Sequence, residues 1–363
     1  MNLVNQPNLE DLNLNVAVFT HNDLDGVGCG IVAEKFFPPY QKLDYPEKAP
    51  YVVHCGYKDI EDYLNNFISS GEESHYDRVY ITDISVSKEL ADKISTLNRH
   101  YGFNKFQLID HHKTALWLNE YPWAKVITHN IDGGIESGTS LFLQHLYGEF
   151  EYKLLHSHAF NEALSYFAET VRRYDSWEWK NVYHDDEPSK LNDLMWLVGF
   201  GKFRESILTK LNKPTQRFQS GVWLGMFDDK DQLLLEIDAH SKKHYIKNKA
   251  KHMKIHEFEG KKIGVVFAER YISEVGNDLS EIFIDEIDIV LIIDPTARRL
   301  SFRSVKSDLH LGEFSKKYFN GGGHANASGA VYVIQYNEQL IESILFQKQT
   351  FWQKLTKRFS KKA

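Results

Sequence analysis

Between residues 15 and 110, short apolar runs alternate with longer amphipathic stretches, and this alternation most narrows what the chain can fold into. Asn15 to Thr20, Tyr51 to His54, Arg78 to Thr82 and Lys105 to Ile109 predict buried strands, with helices expected at Gly26 to Phe37, Lys58 to Ile68 and Lys88 to Tyr101. Strands apolar on both faces and separated by helices call for a parallel sheet, because each crossover helix returns the chain to the same edge and covers a face. A short strand at Val126 to Thr128 and helices at Ser137 to Tyr147 and Asn161 to Tyr174 extend the pattern. The expected fold is α/β: a parallel-sheet domain over residues 15–213 with helices on both faces, after an N-terminal extension over 1–14.

Tyr183 to Pro188 is acidic and ends on proline, which predicts a loop. Residues 214–256 read as a helical connector carrying Lys242, Lys243, Lys247, Lys249, Lys251 and Lys254, either a solvated face or a nucleic-acid contact. Beyond it, Lys262 to Ala268, Asp288 to Ile293, Leu300 to Arg303 and Val331 to Ile334 predict strands, and Gly276 to Ile284 a helix. They make a smaller mixed α/β domain over 257–345. A tail over 346–363 has six basic residues, no acid, and Phe351, Trp352, Leu355 and Phe359 at helical spacing, suited to packing on the protein body or to docking on a membrane surface or RNA.

Charge excludes one class of partner. With 43 Lys and Arg against 50 Asp and Glu, the 363-residue chain carries a net charge of −7, which disfavours long nucleic acid held on a broad basic surface. Cys29 and Cys55 are the only cysteines, too few for a disulfide framework and consistent with a cytoplasmic setting. Met1 to Asn15 lacks Lys and Arg and does not resemble a signal peptide, and no apolar run approaches the length of a transmembrane segment.

The chemistry is written where strands end. His21-Asn22-Asp23-Leu24-Asp25-Gly26 follows the first strand, Asp83 another, and Asp110-His111-His112 a third, while Asp175 ends a helix. One aspartate after a strand is commonly a helix cap or a turn former. Several at the carboxyl ends of adjacent parallel strands converge on one crevice, where their repulsion is relieved by divalent cations.

These four stations resemble motifs I to IV of the DHH phosphoesterase superfamily, and Gly321-Gly322-Gly323-His324-Ala325-Asn326-Ala327-Ser328-Gly329 resembles the GGGH motif of the DHH-associated C-terminal domain. Within the superfamily, His21 to Gly30 and Tyr174 to Trp179 are most similar to the NrnB-type oligoribonucleases, or nanoRNases. The resemblance implies a phosphodiesterase with its site in the cleft between the two domains and two Mn2+ ions per site, Mg2+ or another divalent ion being the alternative. Asp23 and Asp25 would each ligate a different ion, Asp83 would bridge both and act in catalysis, and His111 and Asp175 would complete the second position. His21 lies two rather than four residues before the first aspartate, which leaves it either a ligand or a hydrogen-bonding neighbour. His112 would stand beside the scissile phosphate as electrostatic stabiliser or proton donor, with Asp110 orienting a histidine. Arg303, Ser304, Gly321, Gly322, Gly323 and His324 would bind substrate, the glycines through outward backbone amides, or else form a tight turn before the last strand.

The implied reaction is hydrolysis of short RNA to mononucleotides by a hydroxide activated between two metals. Alternatives are a linear or cyclic dinucleotide, a cyclic mononucleotide or 3′-phosphoadenosine 5′-phosphate as substrate, and, from another class, a nucleotide-binding regulator with a decayed site. A homodimer is compatible with the sequence. Trp177 and Trp179 could stack on a nucleobase or wall the site, and Cys29 reads as a small packing residue.

Overall fold

The computed structural model describes residues 14–37, 49–150, 158–212, 218–219, 222–223, 225–333, 335, 337–339 and 341–342. The basic tail and nearly all of the N-terminal extension lie outside these residues. The chain divides into two compact units, Met1–Leu235 and Glu236–Ala363. No helix among the described residues is long and apolar enough to cross a membrane.

The first unit is built on five strands: β1 (Val16–His21), β2 (Tyr51–Cys55), β3 (Arg78–Thr82), β4 (Phe106–Asp110) and β5 (Ala124–Val126). All pair in parallel, in the order β2-β1-β3-β4-β5. Alternate side chains of one strand enter different cores, as the two-residue period of a strand requires. Val16, Val18, Tyr80 and Ile109 face one cluster with helices α1 (Leu24–Phe36), α4 (Gly138–Glu149), α5 (His158–Asp175), α6 (Glu187–Val198) and α7 (Phe200–Asn212). Ala17, Phe19, Val79, Ile81, Phe106 and Leu108 face the other, with α2 (Ile60–Ser69) and α3 (Lys88–Tyr101). From β1 the chain winds to β2 on one side and β3 on the other, so the strand order reverses between β1 and β3. In open α/β sheets ligands bind outside the carboxyl ends of the strands at that point.

The expected loop at Tyr183 to Pro188 is confined to residues 184–186, between two helical elements. A π-helical turn covers Trp179–Tyr183, and Pro188 sits in the first turn of α6, where its missing N–H has no helical acceptor to lose. A two-stranded ribbon, β6 (Phe218–Gln219) and β7 (Val222–Trp223), precedes α8 (Asp229–His252). The division between units falls inside α8, which makes up most of the expected helical connector and whose later half belongs to a core. There Ile246 is buried against Val266, Val275 and Leu279.

In the second unit a six-stranded mixed sheet runs β12-β13-β11-β10-β9-β8. Its strands are β8 (Lys254–Phe258), β9 (Lys261–Phe267), β10 (Ile289–Asp294), β11 (Arg299–Arg303), β12 (Gly322–Gly323) and β13 (Ala327–Val331). One face packs on α8 and α9 (Ile272–Ile282), the other on α10 (Leu311–Phe319). The last long strand therefore starts before the expected Val331 to Ile334, because its small side chains Ala327, Ser328 and Gly329 pair with β11 without adding an apolar run. β8 is an exposed edge strand carrying Lys254, His256 and Glu257, the charged kind of edge that resists further pairing.

Candidate active site

Each acidic station is fixed by the element that follows it. Asp23 caps α1, its Oδ1 accepting from the Gly26 amide at 3.1 Å, and its Oδ2 lies 2.7 Å from His21 Nδ1. Asp25, in the first turn of the same helix, is held from 113 residues away: Oδ2 accepts from the Gly138 amide at 2.6 Å and Oδ1 from the Thr139 amide at 2.8 Å. Those amides open α4, where a helix leaves N–H groups free to bind anions. Ser137 and Ser140 close a capping box beside them. Residue 138 must be glycine, since a Cβ there would lie 2.4 Å from the Cβ of Asp83.

Asp83 leaves β3 in the left-handed region at φ 56°, a conformation that aspartate tolerates better than most residues and that collects at functional sites. His111, just past β4, brings the stations together. Its Nε2 lies 3.2 Å from Asp83 Oδ1, 3.5 Å from Asp175 Oδ2 and 3.6 Å from Asp25 Oδ2. Donor atoms of His21, Asp23 and Asp83 fall within 4.8 Å of one another, and so do those of Asp25, His111 and Asp175.

The electrostatics of this crevice are frustrated in the protein alone. Burial, then the charges of Asp25 and Asp23, push Asp83 well above the ordinary carboxylate range. The same three causes bring Asp175 up to about 8. Burial also works against ionisation of Asp23, but hydrogen bonding to His21 and its charge hold that carboxyl below its usual value. Asp83 Oδ2 is fully buried with no hydrogen-bond partner among the described residues. Orphaned carboxylate oxygen, crowded negative charge and imidazole nitrogen make a donor set that suits a divalent cation, and the cluster is able to bind one.

Asp110 and His112 form a separate pair. Asp110 is buried, and its Oδ1 accepts from His112 Nδ1 at 2.7 Å and from the His111 amide at 2.8 Å. Burial lowers the affinity of His112 for a proton, yet the bond and charge of Asp110 outweigh it and raise the imidazole above its usual value. Asp110 thus fixes the proton on Nδ1 of the neutral ring and turns Nε2 outward, where it meets the Tyr57 hydroxyl at 3.2 Å.

Tyr57 escaped the sequence reading. It follows β2 at the carboxyl end of the sheet, and its ring also lies 4.9 Å from that of His21. The rule that singled out the acids after β1 and β3 applies to this position equally. Gly138 and Thr139 escaped too, although a Ser-Gly-Thr-Ser helix start signals free amides. Cys29 is buried against Thr139, and burial, with the nearby Asp25, pushes its thiol far up, which leaves it a packing residue.

In the second unit, Arg299, Arg303, Asn320 and Gly321 to Gly323 line a groove of about 660 Å³. The Arg303 guanidinium donates to Ser273 Oγ at 3.2 Å and to the Phe302 carbonyl at 3.0 Å, with the charge of Glu274 acting on it. Ser304 lies elsewhere: alternation along the strand turns it inward, where it is buried and its hydroxyl donates to the Asp288 carbonyl at 2.7 Å. The glycines are an edge strand rather than a nest of free amides. Gly321 N donates to Ser315 O, and a Cβ on residue 321 would lie 2.2 Å from the Gly329 carbonyl oxygen. His324 is exposed beside this strand, its amide bonded to Ala327 O at 2.7 Å.

Comparison with known proteins is consistent with this architecture. No family model matches the chain. It is 33% identical over 316 residues to oligoribonuclease NrnB of Bacillus subtilis (strain 168), covering 86% of this chain and 71% of that protein. Among solved structures, exonuclease RecJ bound to manganese superposes with a TM-score of 0.50 at 13% identity, over 89% of this chain and 87% of that one. PggH, a pGpG-specific phosphodiesterase from Vibrio, gives 0.45 at 13% identity over 93% and 99%. At this identity, over more than two thirds of that protein, the chain belongs to the NrnB family of DHH phosphoesterases and is a phosphodiester hydrolase.

Proposed function

We propose that the chain hydrolyses short oligoribonucleotides to mononucleotides with two Mn2+ ions held by Asp23, Asp25, Asp83, His111, Asp175 and His21. The observation that carries the reading is the meeting of Asp25, Asp83 and Asp175 around one nitrogen of His111, at the strand ends where the sheet order reverses. The identity to oligoribonuclease NrnB supports the choice of substrate. Bound divalent ions supply a water of lowered pKa and positive charge for the non-bridging phosphate oxygens.

The remaining work falls to side chains. Asp110 holds His112 with Nε2 outward and favours its imidazolium form, which gives the Nε2 proton to the departing ribose oxygen and is left neutral with its remaining proton on Nδ1. Tyr57 keeps Nε2 oriented between turnovers, and its own proton stays in place because burial, then the charges of Asp83 and Asp110, raise its pKa. Arg303 and the groove beside Gly321 to Gly323 offer a cation and a shaped surface to a phosphate or a base. The net charge of −7 favours short substrates gripped locally.

A time course with Mn2+ on 5′-labelled and 3′-labelled RNAs of two to five nucleotides, beside linear and cyclic dinucleotides, tests the reading. Mononucleotides should accumulate from the short RNAs, and Asp83→Ala should abolish them. Turnover confined to another member of the panel would replace the proposed substrate, and binding of RNA without turnover, unchanged in Asp83→Ala, would point to a regulator.

A further inference from the structure

Two residues past Asp175 stands a side chain that the proposed chemistry does not use. Trp177 is 51% exposed, and its backbone is left-handed at φ 61°, a region that a bulky aromatic residue rarely enters. Such a conformation persists only when its surroundings over-determine it. Here they do. The Trp177 amide donates to Tyr174 O at 3.1 Å, and its carbonyl accepts from the amides of Lys180 and Asn181. The next residue, Glu178, is clamped on both carboxylate oxygens: Oε1 accepts from the Ile135 amide at 3.0 Å and Oε2 from Arg172 Nη1 at 2.8 Å. Arg172 is itself buried and also donates to the Ile135 carbonyl at 2.7 Å.

This clamp fixes the backbone two residues past Asp175, whose carboxylate lies 3.5 Å from His111 Nε2. On one side of Trp177 is Asp175, at His111; on the other is Glu178, tied to a segment that three residues later supplies the Gly138 amide to Asp25. The Trp179 ring lies 6.1 Å away at 29° to that of Trp177 and backs it from within. A wall residue would be covered by its neighbours, whereas this ring stands on a fixed backbone and is half open to solvent. An exposed aromatic plane on a fixed backbone suits stacking by a nucleobase, which every nucleotide can supply.

We infer that Trp177 is the base-stacking platform of the site and a specificity-determining residue, which favours a phosphodiester whose neighbouring nucleotide carries a base. The inference rests on the phosphodiesterase reading but is measured apart from turnover. The assay is calorimetric binding of adenosine 5′-monophosphate and of ribose 5-phosphate to the Mn2+-loaded protein. Stacking is worth about tenfold to a hundredfold in affinity. Wild type should prefer the nucleotide by that factor, Trp177→Phe should keep most of the preference, and Trp177→Ala should reduce it below about threefold. Because each preference is a ratio within one variant, partial loss of folded protein does not alter it. Circular dichroism on Trp177→Gly, a residue suited to the left-handed backbone, gives a second folded variant lacking the ring. An unchanged preference in Trp177→Ala or Trp177→Gly, or no preference in wild type, overturns the platform. Absence of RNA turnover with the preference intact overturns the substrate assignment alone.

Discussion

Replacing Asp83 by Asn should stabilise the metal-free protein while abolishing its response to metal. In the free protein this carboxyl is buried, lacks a partner for Oδ2 and faces Asp25 and Asp23, so its pKa is raised. For an acid whose folded pKa is raised, the folded state binds more protons than the unfolded state. The resulting penalty is absent below the unfolded pKa near 4 and grows as the pH rises. At pH 7 an acid kept protonated through that interval costs at most about 4 kcal/mol at about 1.4 kcal/mol per pH unit. Asparagine keeps the shape, tolerates φ 56° and can still accept from His111, but it buries an amide that is only partly satisfied, which returns about 1–3 kcal/mol of that gain. The net gain is at most about 1–3 kcal/mol, a rise of up to roughly 2–12 °C in Tm at pH 7 that shrinks toward pH 4. With Mn2+ a thousandfold above its Kd, wild type should gain about 4.1 kcal/mol and overtake the variant. Differential scanning calorimetry of chelator-treated and Mn2+-loaded proteins measures both. A metal-free Asp83→Asn protein that melts lower than wild type and gains equally from Mn2+ would refute the reasoning.

Three other outcomes follow from the geometry. His111→Ala should weaken Mn2+ binding, read by electron paramagnetic resonance, whereas His112→Ala should keep the metal and lower kcat by about 10²–10⁴; equal metal loss in both would remove the distinction. Tyr57→Phe should leave Mn2+ affinity unchanged and lower kcat by about 2–10-fold, the effect of one neutral hydrogen bond of about 0.5–1.5 kcal/mol, and an unaltered kcat would deny Tyr57 a positioning role. Away from the site, burial works against ionisation of Glu149, yet His145, Arg78 and Tyr80 hold it at about 2. Its stabilisation is present above pH 4.5 and is lost as the pH falls toward 2. Glu149→Gln should therefore cost up to about 3 kcal/mol at pH 7 and little at pH 2, and a gap in urea-unfolding midpoints that persists at pH 2 would contradict this.

The parallel sheet was legible because β1, β3 and β4 are buried on both faces and so read as unbroken apolar runs. The acids were legible because a strand end confines whatever follows it. What escaped lacked one of these signals. β8 is exposed along its whole length and shows no apolar pattern, and β13 is built of small residues. Ser304 was grouped with Arg303 by adjacency, although neighbours on a strand point to opposite faces. The grip of Gly138 and Thr139 on Asp25 joins residues more than a hundred positions apart, and no local pattern encodes that pairing. Tyr57 falls under the strand-end rule, but a tyrosine after a strand carries no charge or metal-ligand pattern that marks it.

That long-range grip also has a meaning in time. Asp25 leaves the ribosome long before α4 exists, and at ordinary rates of synthesis the interval is on the order of ten seconds. During it, the His-Asn-Asp-Leu-Asp stretch is a loose set of donors that any passing cation could visit and leave. Only when the first turn of α4 docks does Asp25 acquire the two amides that aim it at His111. Completion of the crevice is thereby deferred until α4 has been made, so its acids are first brought together by the folded domain rather than by the nascent chain.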